Sequence, residues 1–295
     1  MKIAFFILAH RYPEQLDRLV GRLPPDSPVF VHFDARAELE VYAQAESLLS
    51  RRANVRFVRR FRCYWGAMSI VHATLECIGA LIAAGHDFDY AMLLSGQDYP
   101  IKDPAHMRRF LEAHRGREFI ESFRLAEPNR WTLQGGSIQA MRRVEHLHLR
   151  LRSRVLSVPM RRRFPRGLTP HGGSQWWCLS ADCVRFVHRF TQERPDVLRF
   201  FERVSIPDES FFQSVLSASP FAGNMSHEDL MFAVWDRPEP PHPATLGTHD
   251  LPALQRSPKL FARKFDMMRD GLVLDLIDST LLDVEPERPL PLSHE

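Results

Sequence analysis

The run Ile3-Ala4-Phe5-Phe6-Ile7-Leu8-Ala9 is the clearest structural signal of this chain. Seven consecutive apolar residues that end at the polar pair His10-Arg11 are typical of a strand buried on both faces of a parallel sheet. The run is shorter than the roughly 18 apolar residues of a membrane span. The residues after it also lack the small side chains of a signal-peptide cleavage site. The sequence therefore predicts a buried first strand.

Apolar runs and helical spacing alternate through the first third of the chain, which is the pattern of βαβ units in an α/β protein. We predict strands at 3–9, 29–33, 55–58 and 90–94, with helices at 13–23, 39–51 and 67–84 between them. These elements would form a small sheet of the nucleotide-binding type. The second half is less regular, and one strand is predicted there at 118–121.

Composition narrows the class of protein. The chain has 295 residues, of which 44% are hydrophobic and 25% charged, as in ordinary globular proteins. The net charge of +3 is too small to require a polyanionic partner, although basic residues are concentrated between 142 and 166, which we predict to be an exposed, mobile stretch. Four cysteines without a CxxC pair or metal-ligand spacing indicate free thiols in a reducing compartment. We therefore expect a cytoplasmic protein.

Polar residues follow the predicted strands at His10, at Asp34 and at Ser95-Gly96-Gln97-Asp98. Ligands of open α/β sheets bind at these strand ends. The sequence has neither the GxGxxG nor the GxxxxGK[ST] motif, which argues against a dinucleotide enzyme and a P-loop ATPase. Asp34 could accept hydrogen bonds from a uracil or ribose, or only start a turn, and Asp98 is equally open to a turn role.

Two motifs in the second half carry polar or aromatic side chains that could belong to a site. In the first, Gly172-Gly173 precedes Ser174-Gln175-Trp176-Trp177. The glycines allow close backbone approach, and the tryptophans could stack on a sugar or base or lie in the core, the latter especially for Trp177.

The second motif is Ile206-Pro207-Asp208-Glu209-Ser210-Phe211-Phe212-Gln213. Proline followed by acids favours a first helical turn, and the helix dipole is expected to lower the pKa of Glu209, so that this carboxylate is ionised and can accept a proton. A purely capping role is the alternative for both acids.

A pair of adjacent cations, Arg263-Lys264, is enclosed by apolar residues near the C-terminus. Charges among hydrophobic residues are usually paired. The pair could hold a diphosphate, or it could lie on a solvated face.

Together, seven segments resemble the core-2/I-branching N-acetylglucosaminyltransferase and peptide O-xylosyltransferase family, in the form of a bacterial soluble member. They follow the family order over most of the chain. The segments are Ile7-Leu8-Ala9-His10, Val31-His32-Phe33-Asp34, Tyr64-Trp65-Gly66-Ala67, Leu94-Ser95-Gly96-Gln97-Asp98-Tyr99-Pro100-Ile101, residues 172–176, residues 207–212 and residues 261–265.

This resemblance implies a GT-A type glycosyltransferase fold, with residues 1–116 as a Rossmann-like half that binds a UDP-sugar. Residues 117–295 would be the acceptor-binding and catalytic half of the same compact unit. It also implies sugar transfer from a UDP donor to an acceptor hydroxyl with inversion at the anomeric carbon. N-acetylglucosamine and xylose are the expected sugars, and the acceptor would be a glycan, a glycolipid or a protein hydroxyl.

The resemblance also assigns roles to individual residues. Glu209 matches the catalytic base, and Arg263 with Lys264 would neutralise the leaving diphosphate, so that no divalent metal and no other cofactor is needed. The uridine is expected at Leu8, Asp34 and the segment Cys63-Tyr64-Trp65. Gln175 and Trp176 would lie near the donor sugar or the acceptor, and Glu121 and Trp235 on the acceptor side. The xylosyltransferases carry Asp where Gln175 stands.

The sequence leaves two alternatives open. In one, the enzyme is a metal-dependent UDP-sugar transferase in which Asp98 and Asp103 share an ion. In the other, the arginines between 142 and 166 make the protein a module that binds a membrane surface or nucleic acid. We expect no nucleic-acid partner, and we expect the basic segment to contact the inner face of the membrane at most peripherally.

Overall fold

The structure is a computed structural model that describes residues 1–135, 137–151, 154–235 and 243–283. The strands in this part of the chain are β1 (Ile3–Ala9), β2 (Val29–Phe33), β3 (Val55–Phe57), β4 (Tyr90–Ser95), β5 (Asp98–Pro100), β6 (Phe119–Ile120), β7 (Phe123–Arg124), β8 (Leu147–Leu151), β9 (Arg154–Val158), β10 (His171–Gly172), β11 (Trp177–Ser180), β12 (Met231–Ala233) and β13 (Phe261–Arg263). The helices are α1 (Pro13–Gly21), α2 (Leu39–Leu49), α3 (Met68–Ala83), α4 (Pro104–Ala113), α5 (Arg130–Gly135), α6 (Ser137–Glu145), α7 (Ala181–Glu193), α8 (Pro195–Phe201), α9 (Phe211–Ser217), α10 (Leu251–Arg256), α11 (Met267–Asp270) and α12 (Leu272–Leu281).

A six-stranded sheet with the order β3-β2-β1-β4-β11-β6 forms the centre of the molecule. The first four strands are parallel, and β11 runs antiparallel to both β4 and β6. The predicted α/β class is confirmed, and every strand and helix predicted in the first half is present. The helices α1, α2 and α3 end one or two residues earlier than predicted. The spacing of apolar residues does not define the exact end of a helix, because the last turn often frays.

The core explains why the first strand is so apolar. Six of the seven residues of β1 are buried, because helices cover this part of the sheet. Across the sheet, Trp177 of β11 packs edge-on against Phe6 at 6.1 Å between ring centroids, and it contacts Phe212 of α9 at 5.4 Å. The core interpretation of Trp177 is thus confirmed.

A smaller sheet with the order β12-β13-β5 lies next to the end of β4. Its strand β13 pairs antiparallel with β5, which sets Arg263 opposite Asp98. The main-chain N–H of Phe265 also donates to the carbonyl of Gln97 at 2.8 Å. These bonds bring the Arg263-Lys264 pair to the carboxyl end of the central sheet.

We predicted an exposed loop for the basic stretch between 142 and 166, but the structure shows regular elements there. It contains the end of α6 and the hairpin of β8 and β9, while residues 152 and 153 lie outside the described ranges. Arg162 donates to the carbonyls of Arg203 (2.9 Å) and Phe200 (2.6 Å), so part of the positive charge points inward. The alternation of leucine with polar residues from 147 to 151 is a strand pattern, but the many arginines obscured it. Within the ranges that the structure describes, no helix combines the length and the apolar character that crossing a membrane would require.

Candidate active site

A cleft of about 1130 Å³ opens at the carboxyl ends of β1, β2 and β4. All the site residues predicted from the sequence line it, although they come from widely separated parts of the chain. They are Leu8, Asp34, Cys63, Tyr64, Trp65, Glu121, Gln175, Trp176, Glu209, Trp235, Arg263 and Lys264. The fold thus brings the predicted residues together, while the role of each stays a prediction.

Asp34 organises the lining at the end of β2. Its main-chain N–H donates to the carbonyl of Ala9 at 2.8 Å, and its Oδ1 accepts from the main-chain N–H groups of Arg36 (2.8 Å) and Cys63 (3.1 Å). The Arg36 guanidinium donates to the Cys63 carbonyl at 3.1 Å and lies 4.6 Å from the ring centre of Tyr64. Asp34 therefore starts a turn and also ties residues 63 and 64 to the sheet end.

Leu8 and His32 lie near the carboxyl ends of β1 and β2, and both accept hydrogen bonds from main-chain N–H groups. The carbonyl of Leu8 accepts from the N–H of Gly96 at 3.0 Å, so it is already paired. The His32 Nε2 accepts from the N–H of Phe61 at 2.9 Å, and burial lowers the pKa of this imidazole to about 4. His32 is accordingly a neutral structural acceptor at pH 7.

Arg263 is held by a buried partner. Its Nε donates to Oδ1 of Asp98 at 3.1 Å, and its guanidinium lies 4.4 Å from the ring centre of Trp176. Asp98 is fully buried and also accepts from the N–H and the hydroxyl of Ser95 at 2.7 and 2.6 Å. Burial raises the pKa of Asp98, and the charge of Arg263 opposes this rise. Since Asp103 caps α4 by accepting from the N–H of His106 at 2.8 Å, both acids of the proposed metal alternative are engaged elsewhere.

Glu209 ends a three-residue 3₁₀ turn, Pro207–Glu209, that follows Ile206 in a left-handed conformation with φ 53°. The carbonyl of Glu209 accepts from the N–H of Gly173 at 2.9 Å, and its Oε2 accepts from the Arg143 guanidinium at 3.1 Å. Its side chain is 28% exposed. The base candidate is therefore fixed through both its main chain and its side chain.

The predicted direction of the Glu209 pKa was wrong. Burial raises the pKa of this carboxyl; the positive charges of Arg143 and Arg130 oppose the rise, and the negative charge of Glu121 adds to it. Glu209 lies in a single 3₁₀ turn that ends before α9 begins, and burial outweighs the small dipole of that turn.

Asp208 is a second carboxyl of the same turn. It lines the cleft but is only 6% exposed, and its Oδ1 has no hydrogen-bond partner among the described residues. Burial, together with the charge of Glu209, raises the pKa of Asp208 to about 7.

Gly172 and Gly173 lie where the main chain closely approaches other protein groups, which agrees with the close backbone approach predicted for this motif. A Cβ on Gly173 would lie 1.9 Å from the carbonyl oxygen of Glu121, and one on Gly172 would lie 2.4 Å from the Trp131 ring. Only glycine fits this approach. Gln175 and Trp176 follow directly and line the cleft.

The sequence model of the family described as Core-2/I-Branching enzyme matches residues 3–255. The chain belongs to the core-2/I-branching enzyme family. Among curated members of similar sequence, xylosyltransferase oxt of Drosophila melanogaster is 27% identical over 93% of this chain and 33% of its own length. Beta-glucuronosyltransferase GlcAT14A of Arabidopsis thaliana is 29% identical over 91% of this chain and 61% of its own length.

This chain thus spans about a third of the Drosophila protein and about three fifths of the Arabidopsis protein. Among solved structures, apo mouse xyloside xylosyltransferase 1 aligns with 89% of this chain and 97% of its own at 11% identity, with a TM-score of 0.40.

Several residues in the cleft of this family member were missed from the sequence. Arg143 pairs with Glu209, and Arg130 makes two bonds to the Glu121 carboxylate, at 2.9 and 2.8 Å. The Lys259 ammonium lies 3.8 Å from Oδ1 of Asp229. Arg143 falls within the basic stretch that we interpreted as surface, and its spacing carries no signal that separates it from the neighbouring arginines.

Proposed function

We propose that this chain is an inverting glycosyltransferase that moves a sugar from a UDP donor to an acceptor hydroxyl. The observation that carries the proposal is that Glu209 and the Arg263-Lys264 pair line one cleft together with Asp34. A base, a cationic site for a leaving diphosphate and a strand-end carboxylate for the nucleoside are the parts that such a reaction requires. The names of the xylosyltransferase and glucuronosyltransferase relatives support the same reaction class.

In the proposed reaction Glu209 is the general base. Because its Oε2 already accepts from Arg143, its Oε1 takes the proton of the acceptor hydroxyl. The acceptor oxygen forms a bond to the anomeric carbon as the bond from that carbon to the UDP oxygen breaks on the opposite face. Inversion follows from this single displacement, and no covalent enzyme intermediate forms.

Arg263 and Lys264 stabilise the departing UDP in place of a metal ion. The planar guanidinium is well suited to a phosphate, and its stack on Trp176 fixes its orientation. Preformed cations of this kind stabilise the charge that develops on a leaving group without reorganising during the reaction.

UDP release in the presence of a glycan acceptor tests the proposal, with UDP-xylose, UDP-N-acetylglucosamine and UDP-glucuronic acid as donors. Thermal-shift screening first identifies the donor that is bound, since ligand raises the apparent stability. Glu209→Gln should lower kcat by about 10³-fold while the Kd for UDP changes less than about twofold. A Glu209→Gln variant with wild-type kcat would rule out this base.

A metal-dependent transferase is the second candidate within the same class. The observation against it is that the carboxylate of Asp98 is buried and bonded to Ser95 and Arg263. Full UDP release in excess chelator is expected. A loss of activity that added Mg²⁺ or Mn²⁺ restores would favour the metal-dependent enzyme.

A further inference from the structure

Arg143 contacts the Glu209 turn at two points. Its carbonyl accepts from the N–H of Ser205 at 2.9 Å, just before the turn, and its guanidinium donates to Oε2 of Glu209 at 3.1 Å at the end of the turn. The guanidinium also lies 4.1 Å from the ring centre of Trp131. Gly172 in turn packs tightly against the Trp131 ring, which limits how far the ring can move. The arginine is therefore oriented from several sides.

The charged groups around Glu209 come from four segments. Arg143 belongs to α6 and Arg130 to α5, while Glu121 follows β6 and Asp208 precedes Glu209 in the same turn. Arg130 donates two charge-assisted hydrogen bonds to the Glu121 carboxylate. Arg143, in contrast, donates directly to the Glu209 carboxylate.

We propose that Arg143 is a positioning residue that orients the Glu209 carboxylate and keeps it ionised, rather than part of a surface for membranes or nucleic acid. The inference rests on the proposed function of Glu209 as the base. It adds that the reactive rotamer of this base is set by a residue 66 positions away in the sequence. With Oε2 held, Oε1 is the oxygen directed to the acceptor.

The chain offers a matched control on the same helix. Arg142 is the preceding residue, also an arginine, and is exposed. Arg143→Met should lower kcat by about tenfold to 100-fold, because a misplaced catalytic group loses most of its advantage. It should also move the acidic limb of the kcat/KM profile up by about one pH unit, since a cation at this distance lowers a carboxyl pKa by that amount or more. Arg142→Met should change neither quantity, and Arg143→Lys should restore the limb toward its wild-type position.

A second measurement does not depend on turnover. In protein with ¹³C-labelled glutamate side chains, the resonance missing in Glu209→Gln identifies Glu209, and its titration gives the pKa directly. Arg143→Met should raise this pKa by about one unit relative to both wild type and Arg142→Met. An unchanged titration in a folded variant would overturn the inference even if the enzyme were active. If wild type shows no transfer but the titration shifts as expected, the proposed function fails while the contact stands.

If Arg143→Met does not fold, Arg143→Lys decides the question. Lysine keeps the positive charge but not the guanidinium geometry. A folded Lys variant with a wild-type acidic limb and reduced kcat therefore supports the proposal. A Lys variant with wild-type kcat and with the acidic limb shifted by about one pH unit contradicts the proposal.

Discussion

Two groups of residues line the cleft, and they are held in different ways. The sheet-end group comprises Leu8, Asp34, residues 63–65 and residues 95–97. The turn group comprises the lining residues Glu121, Arg130, Arg143, Asp208 and Glu209, together with Gly173 and Pro207, which adjoin them in the structure. Main-chain hydrogen bonds fix the first group, such as those from Asp34 to Ala9 and from Gly96 to Leu8. The second group has main-chain bonds as well, such as that from Gly173 to Glu209, but it also depends on ion pairs and on one close backbone approach.

Because they are held differently, the sheet-end group and the turn group should differ in their sensitivity to mutation. A main-chain bond survives most side-chain substitutions, whereas an ion pair such as Arg143–Glu209 is lost when either partner changes. Substitutions in the turn group should therefore have large effects, and substitutions in the sheet-end group should have small ones.

Gly173→Ala should have the largest effect on stability. The new Cβ would lie 1.9 Å from the carbonyl oxygen of Glu121, so the backbone at Gly173 or at Glu121 must shift. The N–H of Gly173 donates to the carbonyl of Glu209 at 2.9 Å, so this shift also disturbs the turn that carries Glu209. We expect a loss of about 5 kcal/mol in the free energy of unfolding, measured by urea titration. Gly223→Ala is the matched control because no atom lies within 4 Å of its Cβ, and it should cost less than about 0.5 kcal/mol. Equal midpoints for the two variants would contradict the close approach.

Asp208→Asn should change the free energy of unfolding only in the pH range in which the carboxyl of Asp208 would ionise. The pKa of Asp208 is raised to about 7 in the folded protein. At pH 4 the folded carboxyl is therefore mostly neutral, and its burial lowers the free energy of unfolding only slightly. As pH rises toward 7, the unfolded chain ionises freely while the folded state resists, and wild type loses stability. The Asn variant avoids this loss and should be more stable at pH 8 by at most about 4 kcal/mol, at about 1.4 kcal/mol per unit.

Thermal unfolding at pH 4 and pH 8 measures this difference. Asp182→Asn, at a side chain that is 86% exposed, serves as the control and should follow wild type at both pH values. If the Asp208 variant gains no stability over wild type between the two pH values, Asp208 is not held in the buried, unpartnered state that the structure shows.

The sheet was predictable from the sequence because the signal is local. Residues 3–9 form β1 as predicted, since a strand buried on both faces must be apolar along its whole length. The predicted strand at 118–121 is β6 at Phe119–Ile120. The hairpin of β8 and β9 was missed because its leucines alternate with arginines and histidines that suggested an exposed loop.

The residues predicted from the sequence do line one cleft, but the charged partners and the electrostatics of that cleft were not predictable. Asp34 and Glu209 were found because one follows a strand and the other matches a family motif. The contact between Arg143 and Glu209 could not be predicted, because the two residues are far apart in the sequence and only the packing of α6 brings them together. The sign of the Glu209 pKa shift was missed for the same reason: burial by distant segments outweighs the local dipole.

Substitution of Asp34 should have the smallest effect and separates its two interpretations. Asp34→Ala removes the Oδ1 acceptor of two N–H groups. It should weaken UDP binding by about tenfold, which corresponds to about 1.4 kcal/mol and lies in the range expected for lost hydrogen bonds of about 0.5–1.5 kcal/mol each. Asp34→Asn keeps an acceptor oxygen at that place, so the turn and the segment at Cys63 should persist. We expect its Kd for UDP, measured by calorimetry, to stay within about threefold of wild type if the turn is the main role. An Asn variant as weak as the Ala variant would show instead that the carboxylate charge contacts the ligand, and the sheet-end group would then depend on side chains as the turn group does.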